Sequence, residues 1–117
     1  MRARQVVRQL ALDAGLRLID QTKLVTAVSE LARNTVVHGG GGHMSAGPAE
    51  GVGRAGVWAE FEDEGPGIPD VEQAMRQGYT TGDGLGLGLG GAKRLVHEFS
   101  ITAVPGQGTK VRVVSWR

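Results

Sequence analysis

The 117-residue chain contains no cysteine, which excludes disulfides and thiolate metal sites and is compatible with a reducing compartment. Aromatic residues are scarce at 4%, and 13 basic against 12 acidic residues leave a net charge of +1. No basic stripe interleaved with aromatics is present, which argues against nucleic acid as a partner. No run approaches the ~20 apolar residues of a membrane span, and the N-terminus has no apolar signal core. These absences point to a soluble, cytoplasmic protein with no membrane partner. The length suits one domain with a single core.

What the chain has in excess is glycine. Its 20 glycines exceed the usual ~7% share and collect after the second predicted helix, around Gly65 and Gly67, and in Gly78 to Gly91, where seven of fourteen residues are glycine. Glycine tolerates positive φ and lets backbone approach a ligand closely, so the last stretch reads as a phosphate-wrapping loop. Ala92 to Phe99 follows as a predicted helix whose N-terminal amides would face the loop. A flexible linker is the competing reading, opposed by the interleaved leucines. The loop is neither a dinucleotide fingerprint nor a Walker loop. No apolar strand precedes Gly86, and Lys93 is followed by Arg94 where a Walker loop has Ser or Thr.

Helical periodicity predicts a first helix over Ala3 to Ala14, with Val6, Val7, Leu10, Ala11 and Ala14 on one face and Gly15 as its stop. Asp20 is the predicted N-cap of a second helix reaching His38, with Leu24, Val28, Leu31 and Thr35 on one stripe. Gly39 to Gly56, with eight glycines and Pro48, reads as a mobile surface loop. Val57, Ala59 and Phe61 then alternate with Trp58, Glu60 and Glu62, the period of a half-buried strand ending at Asp63. A short helix is predicted over Pro69 to Gln77. Ser100 to Val104 and Thr109 to Trp116, joined through Pro105 to Gly108, read as a hairpin. His38, His43 and His97 read as helix-end, loop and helix-surface residues.

Glu30 and Asn34 lie four apart on the second helix and so share a face. A carboxylate beside an amide can place a base next to an oxygen ligand for Mg²⁺, although an ordinary solvated helix face has the same pattern. Asp63 at a strand end, followed by Gly65 and Gly67, can accept a proton from an exocyclic amine such as adenine's while bare backbone admits a flat ring. The same residues also make an ordinary surface turn. Gly106-Gln107-Gly108-Thr109 is a hairpin turn or a hydroxyl contact to phosphate.

In this order the four motifs resemble the N, G1, G2 and G3 boxes of the Bergerat-fold (GHKL) ATPases. Ser29 to Asn34 and Gly78 to Leu95 are similar to the serine-protein kinases of the anti-sigma branch, in particular switch kinases of the RsbT type in stress-response partner switching. The resemblance implies an α+β two-layer sandwich, a mixed sheet covered on one face by helices, as one domain over residues 1–117. It implies Glu30 as catalytic base, Asn34 as Mg²⁺ ligand, and Asp63 with Gly65 and Gly67 as the adenine site. Gly84, Gly86 and Gly88 would belong to the ATP lid, and Thr109 to the last box. The implied cofactors are ATP and Mg²⁺, and the implied substrate is a serine or threonine of a STAS-domain antagonist. A PP2C-type phosphatase or a sigma factor is a further implied partner, the latter making the chain an anti-sigma factor. A histidine kinase would need a phosphoacceptor hairpin, which is not present in the sequence. The family begins with a strand for which Met1 to Gln5 leave almost no room, so either the sheet lacks an edge strand or a native N-terminal strand has been removed; an exposed edge would favour a homodimer.

Overall fold

The computed structural model describes residues 2–39, 41–63, 65, 88–104 and 108–117. Helix α1 (Arg2–Ala14) buries Val7 and Ala11. It stops where the sequence predicts. Gly15 takes φ +79° and donates its N–H to the Leu12 carbonyl (3.1 Å), while the Leu16 N–H reaches the Ala11 carbonyl (3.0 Å). Those two bonds satisfy carbonyls that a helix end otherwise leaves unpaired, and Leu16 is buried against the core as the motif requires.

Helix α2 (Leu18–Gly39) begins two residues before the expected cap. Asp20 lies in its first turn, where a carboxylate suits the helix dipole, and is paired with Arg17 Nε at 3.1 Å. Leu24, Ala27, Val28 and Leu31 are sealed against the sheet. Each of the larger three contributes about 1.5–3 kcal/mol by burial. No helix among the described residues is long and apolar enough to cross a membrane.

The stretch Gly39 to Gly56 is not a mobile loop. It holds strand β1 (Gly42–Gly51), a turn at Val52 and Gly53, and the start of β2 (Arg54–Asp63), with His43 on a strand rather than in a loop. Glycine disfavours strands on its own, but here ring packing replaces side-chain packing. A Cβ on Gly47 would lie 3.1 Å from the Trp58 ring, and one on Gly51 would lie 3.2 Å from Trp116 Cη2.

The next described element, α3 (Gly88–Arg94), starts earlier and ends earlier than the helix expected over Ala92 to Phe99. Glu98 and Phe99 instead open β3 (Glu98–Val104), which pairs with β4 (Gly108–Trp116) as the predicted hairpin. Leu89 to Ala92 are buried, and α3 packs on α2, so Gly90 and Gly91 serve close helix packing. The helix expected over Pro69 to Gln77 and the loop from Gly78 to Leu87 lie outside the described residues.

The strands run in the order β1-β2-β4-β3, and every pairing among the described strands is antiparallel, where the resemblance implied a mixed sheet. Across the inner face the register aligns Met44, Phe61, Val111 and Ile101 in one row, and Ala46, Ala59, Val113 and Phe99 in the next. Both rows pack with residues of α1 and α2 in one core. The outer face closes itself. Arg112 lies 5.1 Å from the Trp58 ring centroid, and Arg54 lies 4.1 Å from that of Trp116. Arg112 also donates to Glu60 (2.8 Å), and Lys110 bridges Glu60 and Glu62. The Arg112 hydrogen bond holds the Glu60 carboxyl below the usual carboxylate range, outweighing its desolvation. His97, expected on a helix surface, lies between α3 and β3 and accepts the Trp116 backbone N–H at Nδ1 (2.8 Å).

Candidate functional site

Three elements converge at one end of the sheet. In the ladder Gly42 pairs with Asp63, and Asp63 pairs with Thr109, so one row crosses β1, β2 and β4 there. The C-terminal part of α2 is tied to the same end, because the Gly41 N–H donates to the Thr35 carbonyl (3.0 Å). Two residues the sequence places far apart, Asp63 and Thr109, thereby become cross-strand neighbours. Both are half-buried, open enough for a ligand yet held by the ladder.

Asp63 has a divided role in its own turn. Its Oδ1 accepts the Gly65 N–H at 2.9 Å, which fixes the carboxylate at the strand end, while Oδ2 accepts from no donor among the described residues. Gly65 therefore shapes the turn that follows Asp63. Gly67, Gly84 and Gly86 lie outside the described residues, and Gly88 is the first residue of α3 rather than part of a loop.

On α2, Glu30 is buried, which is unusual for a carboxylate and needs a helix face turned inward. Asn34, one turn later, has a buried side-chain nitrogen, Nδ2, with no hydrogen-bond partner among the described residues. A buried amide terminus without a partner costs about 1–3 kcal/mol, and such exceptions call for a ligand or a functional reason. Turning the amide by half a rotation presents Oδ1 at that place, the hard oxygen donor that Mg²⁺ prefers. The residues thus fit a Mg²⁺ that Asn34 would hold through its amide oxygen. No group of three or more His, Asp or Glu side chains able to hold a metal occurs among the described residues.

The chain belongs to the histidine kinase-, DNA gyrase B- and HSP90-like ATPase family, whose profile matches residues 19–116. It is accordingly an ATP-using protein, and the α+β architecture expected from its motifs is the one observed. More particularly, it is 42% identical over 114 residues to the serine/threonine-protein kinase RsbT of Bacillus subtilis (strain 168), covering 97% of this chain and 86% of that protein. It is 29% identical over 118 residues to the anti-sigma F factor of Thermoanaerobacter sp. (strain X514), covering 97% and 82%. The anti-sigma F factor of Bacillus subtilis (strain 168) is 28% identical over 120 residues, covering 95% and 80%.

Sequence reading missed Gly42 and Thr35 as parts of this end of the molecule. Gly42 was hidden in a run of four glycines, and Thr35 reads from periodicity as an ordinary member of the apolar stripe.

Proposed function

We propose that the chain is an ATP-dependent serine/threonine-protein kinase of a bacterial partner-switching module, acting on a STAS-domain antagonist. The observation that carries this reading is the 42% identity to a serine/threonine-protein kinase across 97% of the chain, supported by the ladder that sets Asp63 beside Thr109. The weaker identity to anti-sigma F factors, 29%, ranks a sigma factor second among partners and makes the kinase the better-supported reading.

In this reading Asp63 Oδ2 accepts the adenine amine while Oδ1 stays engaged with Gly65. Thr109, its ladder neighbour, offers a hydroxyl to the nucleotide, and Gly67, Gly84, Gly86 and Gly88 give the backbone close approach around ring and phosphates. Asn34 would hold Mg²⁺, which when bound neutralises charge on the phosphate oxygens. Glu30 takes the proton from the acceptor hydroxyl as its oxygen forms the new bond to phosphorus, and ADP leaves with the electrons of the broken bond. Burial of Glu30 keeps bulk water from competing for that proton. A PP2C-type phosphatase is a further partner in this scheme. In the same scheme β1, an edge strand of the sheet among the described residues, would be the surface of a homodimer, and the setting would be the cytoplasm.

The test is incubation with Mg-ATP and purified STAS-domain proteins, read by phosphopeptide mass spectrometry, alongside capture with STAS proteins and sigma factors. Phosphorylation of a serine or threonine on a STAS protein is expected. Binding of a sigma factor with no phosphoryl transfer to any STAS protein would favour the anti-sigma reading.

A further inference from the structure

Gly42 is the first residue of β1 and pairs with Asp63. A Cβ built there would run into the Glu62 carbonyl oxygen and lie 2.9 Å from Thr35 Cγ2 and 3.0 Å from the Glu62 carbonyl carbon. Neither neighbour can step aside cheaply. The Glu62 carbonyl is backbone of a paired strand. The Thr35 side chain is held by its own hydroxyl, which donates to the Leu31 carbonyl at 3.0 Å and so fixes where the methyl points. Gly41 and Gly53 differ, since a Cβ on either meets nothing within 4 Å and only their positive φ requires glycine. Gly42 has no such φ, so what it supplies is space.

The two residues touching that space are immediate sequence neighbours of the site, Thr35 following Asn34 and Glu62 preceding Asp63. From this we infer that Gly42 is a positioning residue, the spacer that sets the separation between the α2 face bearing Glu30 and Asn34 and the β2 end bearing Asp63. The inference rests on the proposed roles of those residues. A side chain at position 42 forces helix and strand apart, and a ligand spanning both ends of the site loses registry with one of them. Mg-ATP spans both, whereas adenosine engages only the Asp63 end. General loosening of the fold would weaken both ligands alike; a changed span weakens only the longer one.

Gly56 supplies the control. A Cβ there would meet the Ser115 carbonyl and lie 2.8 Å from Trp116 Cε3, yet Gly56 pairs with Trp116 at the other end of the sheet. The experiment compares Mg-ATP and adenosine affinities, with denaturant stability, for wild type, Gly42→Ala, Thr35→Ile and Gly56→Ala. Gly42→Ala is expected to weaken Mg-ATP about 10- to 100-fold, the scale of an ångström-sized misplacement, with adenosine changed by less than about twofold. Thr35→Ile removes the hydroxyl bond that fixes where the methyl points and adds bulk to the same side chain, so it should disturb that space from the helix side in the same direction, and it decides the matter if Gly42→Ala does not fold. Gly56→Ala should lower stability and leave the ratio of the two affinities as in wild type. Wild-type ratios in both Gly42→Ala and Thr35→Ile, or an equal change in Gly56→Ala, would overturn the spacer role. If instead Asp63→Asn in the folded protein binds adenosine as wild type does, the site assignment itself fails, and the spacer role with it.

Discussion

Replacing Asn34 by leucine should make the free protein more stable and the nucleotide complex less so. Asn34 Nδ2 is buried without a partner among the described residues, a state that costs about 1–3 kcal/mol, and leucine has nearly the same shape with no polar atom to satisfy. The side chain as a whole is half-buried, so the apolar gain is partial and the expected stabilisation lies near the lower end, about 1 kcal/mol. For a chain of this size that raises the melting temperature by about 3–6 °C. Wild type gains stability from a bound ligand in proportion to its affinity, about 2.7 kcal/mol at a ligand concentration of 100 Kd. Asn34→Leu removes the oxygen donor proposed for Mg²⁺ and should forfeit most of that gain. The two proteins should therefore exchange rank, the variant melting higher alone and wild type melting higher with saturating Mg-ATP. Thermal denaturation by circular dichroism, with and without Mg-ATP, reads both limbs. A variant that melts lower without ligand, or gains the same shift from Mg-ATP, refutes the reasoning.

Asp63→Asn keeps an oxygen for the Gly65 N–H but turns an amide donor toward the adenine amine, and should cost about 1.5–3 kcal/mol of ATP affinity by calorimetry. An unchanged affinity would remove Asp63 from the adenine site. Glu30→Gln should bind Mg-ATP nearly as wild type does while phosphoryl transfer to a STAS partner falls about 10²- to 10⁴-fold, measured in a single-turnover assay. Glu60 titrates below its unfolded value because of Arg112, so its stabilising contribution is present above the ordinary carboxylate pKa and is lost as pH falls through the lower folded one. Glu60→Gln should accordingly be less stable than wild type in urea near pH 7, with the gap closing below about pH 4. A gap of constant size from neutral to acid pH would mean that the ladder with Arg112 and Lys110 contributes nothing through charge.

Local pattern was enough to determine both long helices, the Gly15 stop, the β3–β4 hairpin and the order of the motif residues Glu30, Asn34, Asp63 and Thr109, because each depends on short-range periodicity, turn chemistry or spacing along the chain. Strand β1 was beyond that reach. Its glycines carry no alternation of their own, and they form a strand only because β2 supplies hydrogen bonds and Trp58 and Trp116 supply the packing surface. The early start of α3 was hidden likewise, since Gly90 and Gly91 look like loop residues until α2 is there to pack against. Which residues stand beside Asp63 was also settled in three dimensions. Its neighbours Gly42 and Thr109 come from opposite sides of it in the chain, and the need for empty space at Gly42 arises only when Thr35 and the Glu62 carbonyl close around it. A sequence records which side chains exist, but the room left for a missing one is a property of packing between distant segments.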